Sequence, residues 1–166
     1  ATENVILTAV LAKGKTRLQN AAIEPEIYNL VEMLRAMGSK IEFQAKAREI
    51  IITGVSKLSG VKVRVMPDRN EVVSFACAAL ATGGDIFIPN IEKSYLEEFL
   101  NKGREIGGEV EIRGGGIRFK GLPAPAHASH AGGQAGKSKY KTAFIETRPH
   151  PGFMTDWQQP FTVVLT

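Results

Sequence analysis

Asn20-Ala-Ala-Ile-Glu-Pro-Glu-Ile-Tyr-Asn-Leu-Val-Glu-Met-Leu-Arg-Ala-Met-Gly38 decides the fold, because it holds a helix together with its stop signal. Ile27, Leu30, Val31 and Leu34 recur at i, i+3, i+4 and i+7, the spacing of one buried stripe, and Gly38 offers a C-terminal stop, so a helix is predicted over Glu26–Met37. Upstream, the apolar stretch Val5–Ala12 reads as a further helix, followed by Gly14 and a short strand candidate, Thr16–Gln19. Downstream, Ile41-Glu-Phe43 alternates and Glu49-Ile-Ile-Ile-Thr53 is a β-branched run ended by Gly54, so residues 40–53 are predicted to form a hairpin.

The same order returns later in the chain. Helix Val72–Ala81, Gly84, strand Asp85–Ile88, Asn90, helix Ser94–Ile106, Gly107 and strands Val110–Arg113 and Gly116–Phe119 follow one another. Gly14 and Gly84 lie 70 residues apart, as do Asn20 and Asn90, whereas Gly38 and Gly107 lie 69 apart, as do Ile41 and Val110. A shared period argues for two copies of one α-β-α-β-β unit, against chance recurrence in an ordinary α/β chain. Between the copies, Val61-Lys-Val-Arg-Val-Met-Pro-Asp-Arg-Asn-Glu71 alternates apolar and basic residues and breaks at Pro67, which predicts a strand and a boundary between residues 1–66 and 67–166. Gly121–Ser138 is rich in Gly, Ala, Pro, Ser and His and reads as a mobile loop, in which His127 and His130 lack the neighbouring Cys or carboxylate that a metal site needs.

The composition bounds the class. The chain has 166 residues, 43% of them hydrophobic, and a net charge of +4, which allows one domain or two small lobes. Its cations are dispersed, with clustering only at Lys137–Lys141, so neither a nucleic-acid partner nor a membrane is expected. With no apolar run near 18 residues and no signal-peptide pattern, the reading is a cytoplasmic protein. The single cysteine, Cys77, sits in the apolar run Phe75–Leu80 and is read as a small buried hydrophobe. Gly14-Lys-Thr16 lacks the glycine of a phosphate loop, since Ala9 stands five residues earlier, and Gly114-Gly-Gly116 reads as a turn between strands. Both ends of the chain read as apolar helices cut short, so a piece of a longer polypeptide is expected.

The candidate chemistry lies in Arg148-Pro-His-Pro-Gly-Phe-Met-Thr-Asp-Trp-Gln158. Pro149 and Pro151 fix φ, Gly152 permits a bend, and Thr155-Asp-Trp-Gln158 has the form of a capping box, with the Thr155 hydroxyl accepting from the Gln158 N–H. That places the Asp156 carboxylate in a first helical turn, either as a mere cap or as a fixed base at a rigid corner. Pro160 falls beyond the first turn of such a helix and argues for a later start, near Gln159.

Ala1-Thr-Glu-Asn4, Asn20-Ala-Ala-Ile-Glu-Pro-Glu-Ile27, Met37-Gly38, Pro67-Asp-Arg69, Thr82-Gly-Gly-Asp85 and Pro149-His-Pro-Gly-Phe-Met-Thr-Asp156 together resemble, in order and approximate spacing, the central part of the UDP-N-acetylglucosamine 1-carboxyvinyltransferases, a family of enolpyruvyl transferases. The resemblance covers nearly the whole chain except the stretch 121–138, which is longer than usual for the family. It implies an α/β (α+β) fold, an inside-out α/β barrel built of repeated βαβαββ units in two lobes around a cleft, with residues 1–66 in the first lobe and 67–166 in the second. It further implies transfer of the enolpyruvyl group of phosphoenolpyruvate to the 3'-hydroxyl of UDP-N-acetylglucosamine in the first committed step of peptidoglycan synthesis. The partners are then these two small molecules and the rest of the polypeptide, with no cofactor and no metal. By the same resemblance Asp156 is the base that contacts the hydroxyl, Thr155 its sugar-contacting neighbour, and Arg69 and Glu71 have no role beyond inter-lobe structure, a solvated or salt-bridged surface pair being equally compatible. The family's reactive-loop cysteine, its phosphoenolpyruvate-binding lysine and arginines, and its Lys-x-Ser-Val segment fall outside the chain, which is expected to be inactive alone; Cys77 does not match that cysteine. The alternatives are another enolpyruvyl transferase, such as the shikimate-pathway enzyme, or a non-catalytic repeat module that binds a partner.

Overall fold

A computed structural model describes residues 1–123 and 140–166. They fall into two compact units, Ala1–Met66 and Pro67–Thr166.

In the first unit α1 (Thr2–Ala9) leads to β1 (Lys15–Gln19), α2 (Pro25–Ala36), β2 (Lys40–Gln44) and β3 (Glu49–Thr53). β3 is central and antiparallel to both neighbours, so the sheet order is β1-β3-β2. Helix α2 forms where the periodicity places it. Pro25 occupies the start, where its missing N–H costs nothing, and Ile27, Val31 and Leu34 form its buried stripe. Ile50 and Ile52 of β3, both fully buried, meet that stripe together with Ile6, Val10 and Ile41. Each such side chain contributes roughly 1.5–3 kcal/mol on leaving water.

The second unit repeats the plan with α3 (Arg69–Thr82), β4 (Asp85–Pro89), α4 (Glu97–Glu105), β5 (Glu109–Arg113) and β6 (Gly116–Lys120), the sheet order being β4-β6-β5, again antiparallel. It adds α5 (Gln158–Leu165). The copies share detail that composition alone would not impose. Helix α2 ends with Gly38 N–H on the Arg35 carbonyl and Ser39 N–H on the Leu34 carbonyl, and α4 ends with Gly107 N–H on Arg104 and Gly108 N–H on Gly103. These are paired Schellman ends, and Gly38 and Gly107 both stand at φ +100°, where a Cβ is penalised. Asn20 and Asn90 also match, at φ 55° and 60°.

A second glycine pair was only half visible in the sequence. The Gly54 N–H donates to the Gly14 carbonyl at 3.0 Å, and the Gly121 N–H donates to the Gly84 carbonyl at 2.8 Å. A Cβ on Gly54 would lie 1.6 Å from the Ala12 carbonyl oxygen, and one on Gly121 would lie 2.5 Å from that of Ala79. Each copy therefore locks the end of its central strand against the end of its first helix by a close backbone approach.

Several expectations are corrected. Residues 61–66 form no strand: no described strand pairs with them, the Met66 N–H donates instead to Asn29 Oδ1 at 3.3 Å, and Val61, Val63 and Val65 are exposed. Glu71, placed in that strand, belongs to α3, which Asp68 starts by accepting from the Asn70 and Glu71 N–H groups at 2.8 and 3.3 Å. The first helix spans Thr2–Ala9 rather than Val5–Ala12. Gly14 and Gly84 correspond, each directly preceding the first strand of its copy, and the positive φ falls on Gly14 in the first copy and on Gly83 in the second. The proposed loop 121–138, with His127, His130 and Lys137, lies outside the described residues apart from Gly121, Leu122 and Pro123.

On the sheets, charges pair across neighbouring strands. Arg118 of β6 binds Asp85 and Glu111 on the two neighbouring strands, and Lys120 binds Glu109 at 3.0 Å. Arg118 holds the Asp85 carboxyl, and Arg113 together with Arg118 holds that of Glu111, below the usual carboxylate range. In the first unit Arg17 binds the nearly buried Glu49 at 2.6 Å.

Candidate functional site

Residues 147–158 make a tight corner in the second unit. Thr147 and Phe153 form an isolated bridge, with the Arg148 N–H on the Phe153 carbonyl at 2.9 Å. Inside that bridge Gly152 N–H returns to the Pro149 carbonyl at 2.8 Å, closing a turn that holds the cis His150–Pro151 peptide. Gly152 is required there, because an added Cβ would stand 2.5 Å from the Cβ of Arg148.

The corner is nailed down by aromatic rings. Phe153, Trp157 and Phe161 are buried to 1% exposure or less and surround the fully buried Phe99 of α4. Phe99 meets Phe153 at 6.5 Å, Trp157 at 5.9 Å and Phe161 at 5.8 Å between ring centroids, and the three outer rings include edge-to-face pairs at 5.6 Å. Such pairs add about 0.5–1.5 kcal/mol each beyond the area they bury. Two polar contacts come from the first turn of α3. The Trp157 Nε1–H donates to Asn70 Oδ1 at 2.9 Å, and the Arg69 guanidinium lies 5.5 Å from the Trp157 ring centroid, with Nη1 3.4 Å from His150 Nδ1. Arg69 is fully buried, which corrects its alternative reading as part of a solvated or salt-bridged surface pair.

Between these anchors stand Thr155 and Asp156, both exposed, in a 3-10 turn over Thr155–Trp157. The expected capping box does not form. The residue before the turn is Met154, the Thr155 hydroxyl makes no capping bond, and the Trp157 N–H is taken by the Met154 carbonyl at 3.2 Å. Burial of Trp157 dictates the turn, and the hydroxyl has no part in it. Helix α5 then begins at Gln158, not Gln159, so Pro160 is its third residue, where an N–H would have no intrahelical acceptor anyway. No side chain caps α5 either, so the Asp156 carboxylate is not consumed as a cap, and no described residue pairs with it. It is a fixed acceptor, open to an incoming donor.

The remaining candidates are placed plainly. Beside the corner lies an open hollow of about 470 Å³, lined by Glu98, Lys102, Glu146, Arg148 and Phe153; neither Thr155 nor Asp156 lines it. Cys77 is buried 3% exposed in the second core, and burial pushes its thiol up to about 12. Among the described residues no three His, Cys, Asp or Glu side chains gather as a metal site, and no helix is long and apolar enough to cross a membrane.

The fold of the chain is that of a solved structure, the enolpyruvyl transferase NikO from Streptomyces tendae, which superposes with a TM-score of 0.72 over 96% of this chain and 35% of its own, at 22% identity. The chain belongs to the EPSP synthase (3-phosphoshikimate 1-carboxyvinyltransferase) family, whose model matches residues 1–166. Within that family it is similar to proteins named UDP-N-acetylglucosamine 1-carboxyvinyltransferase. The one from Prochlorococcus marinus (strain AS9601) is 41% identical over all 166 residues, and the one from Protochlamydia amoebophila (strain UWE25) is 40% identical over the same length. The chain spans about a third of the length of these relatives, 33% and 32%.

Proposed function

We propose that the whole protein transfers the enolpyruvyl group of phosphoenolpyruvate to the 3'-hydroxyl of UDP-N-acetylglucosamine, releasing phosphate and opening peptidoglycan synthesis in the cytoplasm. Asp156 is the base. A sugar hydroxyl is a weak nucleophile until its proton is taken, and a carboxylate held within hydrogen-bond reach removes it as the oxygen attacks. Thr155, exposed beside it, contacts the sugar. Residues 1–66 are assigned to one lobe of the enzyme and 67–166 to the other, and both substrates are small molecules that the remainder of the polypeptide helps to bind.

One observation carries this reading: Asp156 is exposed and has no partner among the described residues, while the residues three before and one after it, Phe153 and Trp157, are buried. A carboxylate kept free of local bonds on so constrained a backbone suits chemistry better than structure. Identity near 40% along the whole chain supports the choice of UDP-N-acetylglucosamine over other acceptors.

The test uses the full-length polypeptide. Phosphate release from phosphoenolpyruvate is measured with UDP-N-acetylglucosamine or shikimate 3-phosphate as the acceptor. Turnover with the nucleotide sugar alone is expected, and turnover only with the shikimate ester overturns the assignment.

A further inference from the structure

We infer that Arg69 and Asn70, in the first turn of α3, are positioning residues that aim Asp156 by holding Trp157. The inference rests on the reading of Asp156 as the base. Its starting point is that the Asp156 side chain has no described partner, so the place from which it departs, its Cα–Cβ bond, is set only by the backbone of residues 155–157. That backbone is fixed on one side by the adjoining indole. Asn70 accepts the indole N–H at 2.9 Å, and the Arg69 guanidinium lies 5.5 Å from the ring centroid.

Arg69 also reaches the other end of the corner, with Nη1 3.4 Å from His150 Nδ1. One fully buried cation thus touches the residues on both sides of the turn that carries the carboxylate. Removing a guanidinium from water is costly, and a purely apolar side chain would fill the same space. What it supplies is direction: planar contacts that hold the indole and the imidazole in one arrangement. Asp68 in turn fixes this grip by capping the Asn70 N–H at 2.8 Å. The mechanical chain therefore runs from Asp68 through Asn70 to Trp157 and Asp156. Phe99 and Phe153 hold the indole in the core by edge-to-face packing, and the directional bond to Asn70 fixes which way its N–H edge faces. A displacement of a reacting group by about 1 Å costs up to about a hundredfold in rate.

In the full-length protein, Asn70→Ala is expected to lower kcat about tenfold while leaving KM for phosphoenolpyruvate within about twofold. Trp157→Phe, which keeps a ring but loses the N–H, should give the same loss, and the double variant should add nothing further. Asn70→Asp keeps the acceptor oxygen and should hold kcat within about twofold of the unaltered protein. The inference is overturned if Asn70→Ala lowers the melting temperature but leaves kcat of the folded protein unchanged, or if Asn70→Asp loses as much as Asn70→Ala. Should Asn70→Ala not fold, Trp157→Phe carries the kcat test by itself. Asp156→Ala is assayed in parallel. If it keeps full turnover, the base assignment fails, whereas loss of turnover there with unchanged kcat in Asn70→Ala removes only the positioning role.

Discussion

Phe99→Ala is the perturbation that ties the fold of the second unit to its site. Phe99 is fully buried and lies within 6.5 Å, centroid to centroid, of four rings: Phe119, Phe153, Trp157 and Phe161. Truncating a buried Phe to Ala costs about 3–5 kcal/mol, from lost transfer energy plus the cavity left behind. Here the upper part of that range is expected, because a void ringed by aromatic side chains held from three elements collapses poorly, and four ring pairs vanish together. Phe99→Leu keeps most of the volume and should cost only about 1–1.5 kcal/mol. Against a total stability of about 5–15 kcal/mol, the Ala variant loses about a third or more of it and the Leu variant far less. Trp157 is the sole tryptophan of the 166-residue chain, so urea unfolding followed by its emission reports this unit directly. A native emission spectrum shifted to the red in Phe99→Ala is the accompanying sign that the Asp156 corner has loosened. A loss below about 1.5 kcal/mol for Phe99→Ala refutes the aromatic hub as the anchor of the corner.

Three further outcomes follow from the same structure. Gly121→Ala should destabilise the second unit severely, because the new Cβ meets three backbone atoms within 2.8 Å; unfolding by heat checks it, and a melting temperature within a degree or two of the parent contradicts the close approach. Cys77, its thiol pushed up to about 12 by burial, should resist alkylation at pH 8 until the chain is unfolded. Because its folded value is raised, the unfolded chain ionises first, so stability should be unaffected by this group below about pH 9 and fall as pH rises from there toward 12, a slope that Cys77→Ala removes. Asp85, held low by Arg118, and Glu111, held low by Arg113 and Arg118, favour folding above the ordinary carboxylate range, and that contribution is lost as pH falls through their depressed values. Arg118→Met should therefore flatten the acid limb of the melting temperature, most clearly at low salt, since all three groups are solvent-accessible.

Local order proved legible wherever the cause was local. The stripe of Ile27, Val31 and Leu34 and the glycine after it fix α2 without help from distant residues, and the recurrence of that pattern up to Gly107 gave the second copy. Residues 61–66 show the opposite case. Their alternation encodes a two-faced extended segment, but a strand also needs a neighbour, and no described strand supplies one. At the site, the turn residues Pro149 and Gly152 marked the corner, and the capping pattern at Thr155 then misled. The pattern is a weak local preference, whereas burial of Trp157 against Phe99 and Phe153 is a larger, tertiary effect. Arg69 could not be read correctly, since its partners lie some eighty residues away and charge ordinarily signals surface. The signal available was indirect: a lone Trp and a His bracketing the acidic residue.

The central claim is that Asp156 takes the proton of the sugar hydroxyl. The direct measurement is kcat for phosphate release by full-length Asp156→Ala with phosphoenolpyruvate and UDP-N-acetylglucosamine, together with its melting temperature. A general base contributes about a hundredfold to ten-thousandfold, so a fall of at least a hundredfold is predicted. The melting temperature should be unchanged, because no described residue bonds to the carboxylate. Phosphate release within a few fold of the parent protein contradicts the account.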